Sequence, residues 1–211
     1  MSTFKLEYLP GRYYGETARL IFHFSGQKFD DVKVDNDSWP KRKPTTPFGT
    51  VPVLTVDENI EIGQSMAIYH YLGRKFNLTG KDELEIAQVN ALGDYQKELM
   101  VSTLDFVHAL YGNNSDLEKI KQENFIPNLN KFWPTLVDHL KKSKSGFFVN
   151  SGTNGGGGGG QDELLVTFGS ELTSDFSKIF EGNDVVSFMS KPDFFNKFVA
   201  DPTLKTGGHS R

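Results

Sequence analysis

Cysteine is missing from the 211-residue chain. Its absence excludes disulfide scaffolds, thiolate metal sites, Cys-x-x-Cys redox chemistry and any thiol nucleophile borne by the protein. If thiol chemistry takes place here, the sulfur arrives on a ligand. Positive charge is also short: 23 Lys and Arg stand against 27 Asp and Glu, a formal net charge of -4. A nucleic-acid grip depends on clustered Lys and Arg neutralising phosphates, so none is expected. Lys141, Lys142 and Lys144 suit a helix C-terminus instead, where cations meet the negative end of the dipole. No apolar stretch approaches the roughly 20 residues of a membrane span, so no membrane contact is expected. The opening Met-Ser-Thr-Phe-Lys has no signal h-region, and a cytoplasmic protein is expected. Histidines 23, 70, 108, 139 and 209 show no metal-ligand spacing, and no Gly-x-Ser-x-Gly elbow occurs. Neither a metal nor a cofactor is expected. What remains is an ordinary globular composition, 37% hydrophobic and 24% charged, with 18 phenylalanines to fill a core.

The patterning divides the chain in two. Phe4-Lys5-Leu6-Glu7-Tyr8 alternates as a half-buried strand does, and Pro10-Gly11 breaks it. Residues 16–25 turn helical, with Ala18, Ile21 and Phe22 on one face and Gly26 as the stop. Asp31 to Val34 alternates again, giving a parallel strand through a βαβ crossover. After a Trp- and Pro-rich loop, Val53–Val56 and Ile60–Ile62 read as a hairpin, and residues 65–76 as a helix. This β-α-β-loop-β-β-α order predicts a thioredoxin-like α/β domain over residues 1–77, then a linker at 78–83. Residues 84–211 read as an all-α helical domain. In it, apolar residues run at helical spacing from Ile86 to Leu110. Ser115-Asp116-Leu117-Glu118 reads as a capping box opening a helix that Pro127 and Pro134 should kink and Gly146 should end. Six glycines at 155–160 should be mobile, and shorter helices are expected over 161–171 and 184–200.

Three segments carry a resemblance: Tyr8 to Glu16; Trp39-Pro40-Lys41-Arg42-Lys43-Pro44 through Pro47-Phe48-Gly49-Thr50-Val51-Pro52; and Gln64-Ser65-Met66-Ala67-Ile68. In this order and at this spacing they resemble the cytosolic glutathione transferases. The Trp-Pro-x-x-Lys-Pro and Pro-Phe-Gly-x-x-Pro runs resemble the sigma-like members, the nematode and invertebrate type that includes glutathione-dependent prostaglandin D synthase. The resemblance covers residues 4 to about 150.

It implies attack by the glutathione thiolate on a hydrophobic electrophile, as in detoxification, with glutathione as co-substrate and with peroxidase or prostaglandin-isomerase side activity. A free thiol ionises near pH 8.5; a hydroxyl that hydrogen-bonds the sulfur favours the thiolate, and a two-unit drop corresponds to about 2.7 kcal/mol. By resemblance Tyr8 is that hydroxyl. Val51 before a cis Pro52 would pair with the cysteinyl backbone like an edge strand. Gln64 and Ser65 would hold the γ-glutamyl carboxylate at a helix N-terminus, Ser65 doubling as N-cap. Trp39 and Lys43 would hold the glycine end. In a homodimer, Asp94 or Glu98 of the partner subunit would meet the γ-glutamyl amine. Leu9, Tyr14, Phe106 and Tyr111 would line the electrophile pocket.

Two stretches depart from the family pattern. After Arg12 the family usually has Gly, then often Arg, Ala or Gly, and this chain has Tyr13 and Tyr14. Where Arg stands at the position of Tyr14, its charge helps hold the thiolate. Near the C-terminus, Gly160-Gln161-Asp162-Glu163 replaces the usual Ser/Thr-x-x-Asp cap, which predicts a looser helical domain. The rival reading is a non-catalytic glutathione-binding, hydrophobic-ligand-binding or structural protein on the same fold.

Overall fold

The computed structural model describes residues 2–112 and 115–142. They form two compact units that divide after Leu78. In the first unit, strand β1 (Phe4–Tyr8) is followed by helix α1 (Tyr13–Ser25), β2 (Asp30–Lys33), the one-turn helix α2 (Trp39–Arg42), β3 (Val53–Val56), β4 (Ile60–Gly63) and helix α3 (Ser65–Lys75). The sheet order is β2-β1-β3-β4. β1 and β2 are parallel and the other two pairings antiparallel. The thioredoxin-like order expected from sequence is present.

One face of the sheet makes the core. Phe4 and Leu6 of β1 and Leu54 and Val56 of β3 point the same way, as period-2 alternation requires, and meet Phe22 of α1 and Leu72 of α3. Phe22 stacks on Phe29 at 4.3 Å and contacts Phe4 at 5.3 Å. Such aromatic pairs contribute about 0.5–1.5 kcal/mol each beyond the area they bury. Gly26 ends α1 in the left-handed conformation at φ 67, where a Cβ would be disfavoured. The start of α1 differs from expectation. It begins at Tyr13 rather than Glu16, because the Gly15 and Glu16 amides both bond back to the Arg12 carbonyl at 3.0 and 3.1 Å.

The second unit contains α4 (Glu83–Ser102), α5 (Leu104–Tyr111), α6 (Leu117–Ile120), a π-helical turn (Lys121–Phe125) and α7 (Ile126–Lys142). The stretch read as a linker has its own structure: Leu78 packs into the first unit's core, and Asp82 caps α4. Its carboxylate accepts from the Glu85 amide at 2.9 Å, while Glu85 reaches back to the Lys81 amide at 3.0 Å, a reciprocal cap.

The apolar run from Ile86 to Leu110 is two helices, not one. They part at fully buried Thr103, whose hydroxyl donates to the Leu99 or Met100 carbonyl. The Ser102 carbonyl beside the break accepts from the side-chain amides of Asn124 and Asn128, both at 3.0 Å. Backbone groups freed by the break are thereby paired inside the protein. The Ser115 capping box is not formed. Asp116 takes the cap position instead, and Glu118 bonds the Gln122 side chain at 2.9 Å.

Pro127 sits in the first turn of α7, directly after the π turn. A proline has no N–H to give the residue four back, so the irregular turn falls where the helical ladder is already broken. Pro134 lies inside α7. The helix buries Leu129, Phe132 and Leu136, while Trp133 is half-buried. The helix end at Gly146, the glycine run, the helices expected beyond it and the altered cap at 160–163 lie outside the described residues.

Candidate functional site

The strand register gathers the predicted residues of the first unit at one end of its sheet. Tyr8 is the last residue of β1 and pairs with Lys33, and its carbonyl accepts from the Val34 amide at 2.8 Å. Glu7 pairs with Val53, so the Val51-Pro52 segment leads into β3 beside Tyr8. Val53 in turn pairs with Gly63, which sets Gln64 and Ser65 at the same end. The Val51–Pro52 bond is cis. Gln64 holds φ 72, a left-handed value, and occupies the cap position of α3 without a side-chain capping bond. Ser65 is therefore the first helical residue and not the N-cap.

Tyr8 itself is 5% exposed. Its ring lies on Gly15, where a Cβ would overlap it, so the close approach of β1 to α1 needs glycine there. The Tyr8 hydroxyl oxygen accepts from the Tyr14 amide at 3.2 Å. The Arg19 guanidinium lies 5.9 Å from the centre of the same ring, within cation–π range. Its Nε reaches both Asp31 oxygens, and its Nη1 donates to the Gly11 carbonyl at 2.9 Å and to Glu16 at 3.0 Å.

The Tyr13-Tyr14 pair adds further hydroxyls. Tyr13 is buried at φ 33, a conformation disfavoured for a residue with a side chain. Its ring meets that of Tyr14 edge-on at 4.4 Å. Burial pushes the Tyr14 hydroxyl pKa up, against a smaller opposing hydrogen bond from Tyr13. Tyr69, buried in α3, donates its hydroxyl to the Tyr14 carbonyl at 2.5 Å. Desolvation raises the Tyr69 pKa strongly, while hydrogen bonds from the Thr17 and Ser65 hydroxyls oppose the rise.

Trp39 and Lys43 lie on and just after α2, Trp39 half-buried and Lys43 exposed. A local turn presents them. The Asp35 carboxylate accepts from the Asp37 and Ser38 amides and from the Ser38 hydroxyl. Those bonds, the hydroxyl first, hold its pKa below the usual value. Arg42 then ties α2 to the sheet. Its Nε and Nη2 grip the two Glu7 oxygens at 3.0 and 2.8 Å, and Nη2 also reaches Glu61. Burial raises the Glu7 pKa, but Arg42 and Lys5 outweigh it and the net shift is downward. Sequence reading missed Glu7, Gly15, Arg19, Arg42 and Tyr69. For Glu7, Arg19 and Tyr69 the only signal available was a charged or hydroxyl-bearing residue on a buried face, and for Gly15 and Arg42 there was none beyond their place in the quoted motifs.

Of the other predicted residues, Leu9 belongs to the first unit and Asp94, Glu98, Phe106 and Tyr111 to the second. Leu9 is 41% exposed in the turn after β1. Asp94 and Glu98 are exposed on α4, one turn apart. Phe106 packs its ring against Phe125 at 4.5 Å in the core of the helical unit. Tyr111 ends α5, and its side chain lies outside the described residues. That unit also holds a cleft of about 560 Å³ lined by Asp105, His108, Glu123 and Asn124 among others. Among the described residues no three His, Cys, Asp or Glu come together as a metal site.

No protein-family model matches the chain. Curated relatives do. A probable glutathione S-transferase 5 of Caenorhabditis elegans is 41% identical over 97% of this chain and 95% of its own length. A solved structure of a monomeric glutathione S-transferase from the hookworm Necator americanus aligns at TM-score 0.79 and 32% identity, covering 97% of this chain and 95% of the other. A prostaglandin synthase D structure from Nilaparvata lugens aligns at TM-score 0.73 and 25% identity, over 97% and 96%. On the strength of that near full-length likeness in sequence and fold, the chain belongs to the glutathione S-transferase family.

Proposed function

We propose that this glutathione transferase activates the thiol of glutathione at Tyr8 and directs it onto hydrophobic electrophiles. The observation that carries the assignment is the register that brings Tyr8, Val51-cis-Pro52 and Gln64-Ser65 to one end of the sheet. Tyr8 accepts the Tyr14 amide on its oxygen, and its O–H is the donor that turns to the sulfur of bound glutathione. A hydrogen bond to the charged form lowers the thiol pKa and raises the thiolate fraction at neutral pH. The Val51 backbone pairs with the cysteinyl unit. Gln64 and Ser65, at the start of α3, hold the γ-glutamyl carboxylate. Trp39 and Lys43 hold the glycine carboxylate.

Leu9 and Tyr14 contribute to the electrophile side together with Phe106 and Tyr111. The protein is sigma-like and serves detoxification in the cytoplasm. The prostaglandin synthase neighbour supports an isomerase side activity, beside reduction of peroxides. The active form is a homodimer in which Asp94 or Glu98 of one protomer meets the γ-glutamyl amine bound to the other. No described helix is long and apolar enough to cross a membrane.

The test is conjugation of glutathione to an activated aryl halide, comparing wild type with Tyr8→Phe across pH. The expected loss is at least about tenfold, or 1.4 kcal/mol of transition-state stabilisation. Binding of glutathione without turnover by either protein would instead identify a ligand-binding protein on this fold.

A further inference from the structure

Behind Tyr8 lies a second tyrosine hydroxyl that the reaction described above does not use. Tyr69 stands on α3, and its ring fills the core of the first unit at 3% exposure. A buried hydroxyl demands a partner, and this one finds it on another helix. It donates to the Tyr14 carbonyl at 2.5 Å across 55 residues of sequence. It therefore ties α3 to the first turn of α1, which borders the sheet end.

What it holds on α1 bears on Tyr8. The Tyr14 N–H is one of the amides that a helix leaves without an intrahelical partner at its N-terminus. Here that amide donates to the Tyr8 oxygen at 3.2 Å. A phenol whose oxygen accepts from a helix N-terminal amide sheds electron density to it, and its own O–H becomes a stronger donor. The geometry is not one the local chain favours, since Tyr13 immediately before is held at φ 33. A tertiary bond on the Tyr14 carbonyl counters any relaxation of that turn.

We propose that Tyr69 is a positioning residue of this site. It clamps the first turn of α1 through the Tyr14 carbonyl, keeps the Tyr14 amide on the Tyr8 oxygen, and so sets how strongly Tyr8 stabilises a bound thiolate. The proposal rests on the reading of Tyr8 as the sulfur's partner.

The experiment follows the ultraviolet absorbance of the thiolate of bound glutathione against pH, beside kcat/KM, in wild type, Tyr69→Phe, Tyr95→Phe and Tyr8→Phe. Phenylalanine keeps the ring that fills the core and removes only the hydroxyl. In Tyr69→Phe the ionisation midpoint rises by about half to one unit, a three- to tenfold weaker ionisation. The rate falls by the same factor below the midpoint and converges on wild type above it. Tyr95→Phe deletes a similar hydroxyl-to-carbonyl bond, 3.4 Å to Phe132, and leaves the midpoint in place. An unmoved midpoint in Tyr69→Phe, or a loss equal at every pH, overturns the proposal. If Tyr69→Phe does not fold, Tyr69→Met, which fills the core with an adaptable apolar side chain and also lacks the hydroxyl, must shift the midpoint in the same direction, and no shift overturns it. When Tyr8→Phe shifts the profile and Tyr69→Phe does not, only the role of Tyr69 falls. When Tyr8→Phe changes nothing, or wild type binds no glutathione, the Tyr8 reading falls and takes this one with it.

Discussion

A single missing methyl group decides how close Tyr8 can come to helix α1. Gly15 faces the Tyr8 ring so tightly that a Cβ would overlap it, and the obstruction is a ring buried between strand and helix rather than the loose end of a side chain. Overpacking of this kind costs about 1–3 kcal/mol. Gly15→Ala should accordingly lower the thermal midpoint. It should also cut conjugation more than its stability loss explains, because the displaced ring is the one that meets sulfur. Calorimetry beside kcat/KM separates the two effects, and wild-type kinetics in a folded Gly15→Ala protein would refute the close-approach argument. Tyr13 shows the opposite trade. Its φ of 33 is unfavourable by roughly 1–3 kcal/mol, yet its buried ring packs on Tyr14. Truncating a buried aromatic costs about 3–5 kcal/mol, so packing outweighs backbone strain and the tyrosine is stable there.

Among the elements, α2 has little to stabilise it by itself: one turn, with no residue fully buried. It is held by Arg42, whose fork grips Glu7 of β1 and also reaches Glu61 of β4. Glu7 is 6% exposed, so removing its partner leaves a largely desolvated carboxylate. Breaking such a pair costs about 3–5 kcal/mol when it is buried, and solvent at the 20% exposed Arg42 side chain brings the expectation for Arg42→Ala nearer 2 kcal/mol. Because Trp39 and Lys43 ride on this element, KM for glutathione should rise as well. The same pair dictates a pH dependence. Folding lowers the Glu7 pKa below its ordinary 4.5, so its stabilisation is complete above that value and is lost as pH falls through the lowered one. Denaturant titrations should show wild type losing stability over that acid interval, with Arg42→Ala losing less. Parallel acid profiles for the two proteins would show that Glu7 is not the group responsible.

At the scale of the whole molecule, apolar surface left uncovered on the single chain asks for an explanation. Phe48 is 64% exposed, and Leu84 and Val101 are 70% and 54% exposed. Large exposed aromatics are enriched where protein surfaces meet, which supports the proposed homodimer. Sedimentation should give twice the 23.7 kDa chain mass for wild type and a shift toward the single-chain mass for Phe48→Ser. A monomer at every concentration would sink the dimer and, with it, the role of Asp94 or Glu98 across the interface. The hookworm relative described as monomeric makes this measurement informative in either direction.

Local pattern and composition determined a good deal by themselves. Strand alternation and helical periodicity placed every strand and long helix of the first unit within a few residues, because each element's buried face is written in its own spacing. The lack of cysteine decided that a reactive sulfur must come with the substrate, and three short motifs pointed to the residues that would hold it. What the sequence could not show were contacts between residues far apart in the chain. The clamp from Tyr69 to Tyr14 and the strap from Arg42 to Glu7 join positions 55 and 35 residues apart, and no local pattern marks either partner. The helix break at Thr103 was hidden for the same reason. Its apolar spacing runs on unbroken, and only the Asn124 and Asn128 side chains bonding the Ser102 carbonyl show where the backbone is satisfied without the helix. Periodicity reports which face of an element is buried; only the tertiary structure decides which polar groups meet there, because a buried hydroxyl or charge takes its partner from whichever element folding brings beside it.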